Sequence, residues 1–305
     1  MSRLMSVALC AIICCGSLLA EAGAREAVQK MLEESNLEQG YDSVRKSYVA
    51  VVEEQRRMQD PAHSKLFLKT RAQMAKGLVL DGKCEILKFF SQRIKAEDSV
   101  NTRQSGETAY NMASSCTLIS AKARLKGCCV LCSSEDWDAA SGVYTMAMAV
   151  VWSEKLERTN PVVGEISEAD WNSWLSKLDL TCVVGGRQFT DAAGRRGYCG
   201  IGCADVEGLK GSRYSKAIGD AENAARMNLI FELYSDAATV ELLEQNASEL
   251  ERVDKSEERM SVDFKSKIDA KCQKNGVRTK KIHSTVVKHP VSGRSMCVAV
   301  VTVLE

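Results

Sequence analysis

The segment from Arg213 to Val303 runs helix, strand, short turn and closing strand, and a cruder copy of the same order lies between Phe67 and Ser153. An internal repeat constrains a fold strongly, because each copy must be one supersecondary unit. Two anchors set the alignment. Ala225-Arg226-x-x-Leu229 stands opposite Gly82-Lys83-x-x-Ile86, and Ser292-Gly293 to Val301 stands opposite Ser141-Gly142 to Val150. The spacing predicts an α+β protein of two tandem units. Each has a strand, one or two helices and a C-terminal β-hairpin, packed as helix on antiparallel sheet.

Upstream of the first unit, one Arg precedes an apolar run from Val7 to Ala20, and small residues follow at Ala20-Glu21-Ala22 and Ala22-Gly23-Ala24. Residues 1–24 therefore read as a secretory signal peptide. The run is shorter than the roughly 20 residues a membrane span requires. Lipidation at Cys15 is the rival reading, and it wants a Leu and small residues where the chain has Ile13 and Cys14. No later apolar run is long enough to span, so the mature chain is expected to be exported, periplasmic or secreted, without a transmembrane segment. Residues 25–153 form the expected first unit with its N-terminal helix, 154–197 a connector with a short Trp-bearing helix, and 198–305 the second unit.

Export gives the cysteines their meaning. Of 13 in the chain, Cys10, Cys14 and Cys15 lie in the leader. The other ten are candidate structural cysteines: Cys84, Cys116, Cys128, Cys129 and Cys132 in the first unit, and Cys182, Cys199, Cys203, Cys272 and Cys297 in the connector and second unit. In an oxidising compartment they read first as disulfides. Five on each side cannot pair completely within a side, so either a bond joins the two sides or each keeps a thiol. Cys199 and Cys203 fall on one face of a strand, about 13 Å apart at the usual strand rise, beyond the reach of a disulfide. At least one of them is expected to bond Cys297 or Cys272 instead.

Along the chain, Arg25 to Glu34 predicts a short helix with Val28, Leu32 and Met31 on one face, and Tyr48 to Val52 a buried strand. After Asp60-Pro61, Leu68, Ala72, Ala75, Val79, Gly82, Ile86 and Phe90 recur at steps of three and four, a helix laid on a sheet. That stripe runs through Gly77-x-x-x-x-Gly82-Lys83-Cys84, which matches a phosphate-binding loop in all but its last position. A loop of that kind needs backbone amides wrapped round a phosphate and a hydroxyl on magnesium, whereas apolar residues and a thiol stand here. Gly82 reads instead as a close-packing position, and Lys83 as dispensable. A further helix is drawn from Glu107 to Leu125, and a strand over Cys128–Cys132 returns through a turn near Trp137 to Val143–Trp152.

Cys129-x-x-Cys132 resembles half of a zinc or redox site, but no second such pair exists and the only histidines are His63, His283 and His289. No metal and no cofactor is expected. In the connector, Ser167-x-x-Asp170 predicts a helix N-cap, with Trp171, Trp174, Leu175 and Leu178 on one face. The tryptophans read as core or as a sugar-binding platform. Tyr198 to Ala204 predicts a strand with Gly200 and Gly202 facing a helix over Ser212–Leu233. Glu241–Arg259 carries seven acids and three bases, and Lys265–Lys281 seven bases and one acid. Only Phe264 interrupts the basic run, so the aromatic interleaving of a nucleic-acid surface is missing and no nucleic acid is expected. The net charge of +1 agrees. The polarity suits a solvated helix face, or steering of an anionic envelope polymer.

The Gly186-Arg187-x-Phe189-x-Asp191-x-x-Gly194 run, the Gly200-Ile201-Gly202 strand and the Ala221-x-x-x-Ala225-Arg226-x-x-Leu229 helix together resemble an uncharacterised domain of exported bacterial proteins. That domain is similar in turn to the twenty-kilodalton outer-membrane lipoprotein family. The resemblance covers roughly Gly185 to Val303, with a fainter echo in Ser47 to Ser153. It implies a non-enzymatic envelope role and supplies no catalytic residues. No G-x-S-x-G or H-E-x-x-H motif is present. The sequence thus points to a non-catalytic envelope protein acting on a protein or envelope-polymer partner, or assembling with itself as a homo-oligomer. A secreted enzyme using a cysteine or carboxylates, or a glycan-binding module using Trp171 and Trp174, are the alternatives.

Overall fold

The computed structural model describes residues 23–101, 125–154, 175, 179–181, 183–190, 196–206, 210–249 and 280–303. Helix α1 (Ala24–Glu34) is followed by strands β1 (Gly40–Asp42) and β2 (Ser47–Arg57), then helix α2 (Phe67–Asn101) and strands β3 (Cys128–Asp138) and β4 (Val143–Ser153). Strands β5 (Gly185–Thr190) and β6 (Arg196–Asp205), helix α3 (Gly211–Glu249) and strands β7 (Lys280–Lys288) and β8 (Ser295–Val303) complete the described elements. Two antiparallel sheets result, with strand orders β1-β2-β4-β3 and β5-β6-β8-β7. Repeating the same order twice is the pseudo-symmetry that the sequence anchors predict.

The repeat extends to details. Each hairpin between the last two strands turns on a glycine with positive φ, Gly142 at 67° and Gly293 at 65°. Each of these glycine amides donates back to the carbonyl at the end of the preceding arm, Gly142 to Asp138 and Gly293 to His289. Each third strand also slips register at the same place, around Leu131 opposite Val150 and Ala149, and around Ile282 opposite Val301 and Val300. A bulge kept in both copies is a designed bend, since an extra residue increases the local twist of a sheet over a helix.

Each long helix lies on the inner face of its own sheet, and close approach is achieved differently in the two units. In the first, the room is on the helix: a Cβ on Gly82 would stand 2.4 Å from a methyl of Val150. In the second it is on the strand: a Cβ on Gly200 would stand 1.8 Å from the carbonyl oxygen of Ala225, and one on Gly202 2.1 Å from the Ala225 nitrogen. The inner faces of both sheets and both helices share one apolar core, running from Ala50, Phe67 and Trp152 to Leu229, Phe231 and Val301. The outer face of the first sheet is closed by Val28, Met31 and Leu32 of α1, and that of the second by Val183 and Leu175 from the segment before β5.

Several boundaries differ from the sequence expectation. Strand β5 falls in the expected connector yet pairs with β6, so the second sheet begins at Gly185. Helix α3 continues through the start of the acidic run to Glu249, because that run keeps good helix formers after the apolar stripe ends. The helix drawn over Glu107–Leu125, the tryptophans Trp171 and Trp174, and most of the basic run lie outside the described residues. No described helix is long and apolar enough to cross a membrane. Gly82→Leu is expected to destabilise the protein by about 1 to 3 kcal/mol through overpacking on Val150, and Gly200→Leu by at least as much. Urea unfolding midpoints check both.

Candidate functional site

Helix α2 does more than lie on a sheet. From Phe67 to Phe90 it is buried on most sides, including two cationic residues, Arg71 and Lys83, that are fully enclosed. A charge taken out of water survives only with a partner. Arg71 makes a two-pronged contact with Glu135 of β3, its Nε 2.9 Å from both carboxylate oxygens and its Nη2 2.7 Å from Oε1. Tyr144 donates its hydroxyl to Oε2 of the same carboxylate. From the second unit, His289 at the start of the β7–β8 turn brings Nε2 to 3.0 Å from Oε2. Arg71 also places Nη1 3.5 Å from the Cys203 sulfur on β6. One carboxylate thus ties α2, β3, β4 and the second hairpin together.

The chemistry of this cluster is set by its geometry. Burial alone would raise the Glu135 carboxyl, but Arg71 and the His289 hydrogen bond outweigh it and hold it at about 2, against an ordinary 4.5. Burial is the largest influence on Arg71 too and opposes its charge, yet the pairing with Glu135 prevails and holds the guanidinium firmly protonated. The Ser292 amide donates to His289 Nδ1 at 3.2 Å, so that nitrogen accepts and Nε2 is the one that donates to Glu135. Both ring nitrogens are therefore engaged, and neither is left to draw a proton from Cys203. Burial raises the Cys203 thiol, with Arg71 opposing and Glu135 adding. The arrangement is a cysteine, a histidine and a carboxylate in one place without the nucleophile-to-base contact that thiol catalysis requires.

The second buried pair crosses directly between helices. Lys83 Nζ lies 3.3 Å from Glu232 Oε1 of α3, with both side chains 1% exposed. Lys83, expected to be dispensable, is instead a tether between the units. Sequence periodicity missed it because the stripe marks only the face toward the first sheet, whereas α3 covers the opposite flank. Beside this pair, Asn228 donates to the Ile201 carbonyl at 2.8 Å, and Arg187 donates to the carbonyls of Val184 and Gly186.

The candidate structural cysteines are placed as follows. Cys84, Cys128, Cys129, Cys132, Cys199, Cys203 and Cys297 are thiols, none of them in a disulfide. Cys116, Cys182 and Cys272 lie outside the described residues. Cys199 and Cys203 do not bond each other. The expected bond to Cys297 does not form either: Cys297 packs in the core toward α3, whereas Cys199 packs on the opposite face of the sheet and the Cys203 sulfur stands beside the Arg71 guanidinium. Burial pushes the Cys84 thiol up to about 12, and it raises Cys199 and Cys297 as well. Such thiols are poor nucleophiles. The C-x-x-C pair straddles the β3 bulge beneath α1, and no group of three or more metal-ligating side chains gathers among the described residues.

A surface cleft of about 360 Å³ opens between the end of α1 and β1, lined by residues from Asn36 to Val49. Its Asp42 carboxylate accepts from the amides of Val44 and Arg45, at 2.8 and 2.9 Å, which shapes the turn and lowers the carboxyl below its usual range. The other oxygen of Asp42 pairs with the Arg45 guanidinium at 3.2 Å, so the carboxylate is engaged within the turn. At the mouth of the basic run, Lys281 pairs with Glu222 of α3 at 2.7 Å, as a solvated face would.

No protein-family model matches the chain, and no curated protein matches it. Among solved structures, the chain is similar to a 2.3 Å crystal structure of a hypothetical protein from Francisella tularensis. The TM-score is 0.62 at 13% identity, covering 99% of this chain and 98% of that one. The likeness is one of fold, over both units.

Two measurements probe the buried charges. Lys83→Ala leaves Glu232 without its cross-unit cation and is expected to cost about 3 to 5 kcal/mol, read from urea denaturation. For Glu135, a folded carboxyl held below its unfolded value stabilises the protein fully above pH 4.5, and this contribution, about 3 kcal/mol, disappears as pH falls toward 2. Glu135→Gln is expected to flatten that part of the acid-unfolding curve. An unchanged acid limb would show that Glu135 is not held in this way.

Proposed function

We propose that the protein is an exported, non-catalytic envelope protein that acts by binding a protein or envelope-polymer partner or by assembling with itself. The observation that carries this reading is the Glu135 cluster: its ionisable groups satisfy one another, and both nitrogens of its histidine are spent on structure. The described thiols whose titration is displaced are all raised by burial, which favours packing over chemistry. Residues 1–24 support export, and the resemblance of Gly185 to Val303 to envelope lipoprotein domains supports the compartment. In the sequence, the acidic run Glu241–Arg259 and the basic run Lys265–Lys281 are separate, a polarity that would favour an anionic polymer on one of them.

The test is direct. Protein recovered from the envelope or medium of expressing cells is expected to begin just after Ala24, and affinity capture from that fraction to bring down a reproducible partner or a second copy of the chain. Under native conditions the cysteines are expected to react with iodoacetamide no faster than an ordinary thiol. Recovery of the chain only inside the cell with residues 1–24 intact would contradict export, and one rapidly alkylated, acidic thiol would favour the secreted-enzyme reading.

A further inference from the structure

The two units differ at one edge. In the second sheet, β5 pairs with β6 over six positions, from Arg196 to Ile201. In the first, β1 pairs with β2 only at Ser47, Tyr48 and Val49, although β2 runs on to Arg57. Among the described residues no strand hydrogen-bonds that side of β2 from Ala50 onward. An exposed strand edge is a template for another strand unless something blocks it. This one carries no Pro and no bulge, and its sequence is Glu53-Glu54-Gln55-Arg56-Arg57.

That sequence is complementary to itself. If two copies meet antiparallel about a two-fold axis at Gln55, Glu53 stands opposite Arg57 of the second copy and Glu54 opposite Arg56, with each pair on a single face. Directly opposed side chains on neighbouring strands interact strongly enough that sign decides between pairing and repulsion. Within the chain these charges find no such match, because on β4 Glu53, Glu54, Arg56 and Arg57 stand opposite Ala147, Met146, Tyr144 and Val143. Along the strand, Arg56 instead pairs with Glu54 at 2.7 Å, and Gln55 donates to Glu53 at 2.8 Å.

The backbone is in the correct phase. Met58 donates to Gly142 toward the β4 side, as Lys46 accepts from Glu154 on that side. By alternation, the even-numbered residues of β2 bond β4, while Glu53, Gln55 and Arg57 turn their N–H and C=O groups to the open edge. A two-fold axis at Gln55 therefore makes Gln55 and its mate a hydrogen-bonded pair, flanked on each side by a hydrogen-bonded Glu53–Arg57 pair. Gln55 and Arg57 are exposed, and Glu53 is partly so.

We infer that the open edge of β2 is the self-assembly surface of this protein, joining the first sheets of two copies through Glu53–Arg57. This rests on the self-assembly branch of the function proposed above and gives it a specific partner, a second copy of the chain. A C2 contact of this kind is isologous, so each residue meets its complement twice. Because the ion pairs lie at a solvent-facing edge, the dimer is expected to weaken as salt rises.

The experiment is a charge swap read by sedimentation velocity on the mature chain. The wild type is expected to show a concentration-dependent monomer–dimer equilibrium that shifts to monomer in high salt. E53R/E54R and R56E/R57E are each expected to stay monomeric, since every opposed pair becomes repulsive. Mixed in equal amounts, the two variants are expected to form a heterodimer, which also proves that both are folded. Q55P, which removes an edge amide without touching the β4 ladder, is expected to stay monomeric with an unchanged far-UV spectrum. A wild type that remains monomeric at all concentrations, or a dimer that survives both charge reversals, would overturn the inference. The Q55P chain, used as bait in the capture experiment beside the wild type, separates the two ideas: a second copy still captured by Q55P sinks the inference alone, whereas a wild-type bait that captures neither a second copy nor another partner sinks the proposed function.

Discussion

A buried charge must be answered where it lies, and in this protein the answer comes from the other unit. Lys83 on the first long helix meets Glu232 on the second, and Glu135 in the first sheet is held both by Arg71 beside it and by His289 from the second hairpin. Separated, either unit would expose or strand a charge as well as the shared apolar face. The shared core supplies most of the attraction between the units, because it is non-directional and scales with area. The charges supply the orientation, because an ion pair in the interior tolerates few other arrangements.

The repeat explains why such a device is possible. Two copies of one plan give two sheets with the same strand order, the same bulge and the same glycine turn, so each presents an equivalent helix to the other. Divergence within the plan then does the specialising. Gly82 creates room on one helix, while Gly200 and Gly202 create it on the opposite strand. Asp138 and His289 occupy equivalent turn positions, each accepting from the turn glycine through its carbonyl, yet only the second side chain reaches across to Glu135. The three-residue β1, against the six-residue β5, leaves a longer stretch of β2 than of β6 without a neighbour on that side.

Much of the fold was legible in the sequence and rather little of the site. Periodicity located α1, β2, both long helices and both hairpins, because each buries one face with the period of its own geometry. The glycines at 82, 200 and 202 were readable as packing positions for the same reason. Strand β1 was not, being three residues with no run of its own. The charged cluster was illegible because its members lie far apart in the chain: Arg71, Glu135, Cys203 and His289 are brought together only by the docking of two units. Lys83 misled because a lysine beside an apolar stripe is ordinarily solvated, and only the second helix changes that. Among the cysteines, strand spacing made it legible that Cys199 and Cys203 do not bond each other, whereas a count gives only the parity of bonds and not which thiols can meet.

The central claim is that the two units form one cooperative body and are not independent domains. Hydrogen exchange followed through a urea titration tests it most directly, with amides of β4 reporting on the first unit and amides of β8 on the second. Because each unit depends on the shared core and on charges supplied across the interface, the slowest amides of both strands are predicted to lose protection in a single coincident transition. Two separated transitions, with β8 opening while β4 stays protected or the reverse, would contradict the account.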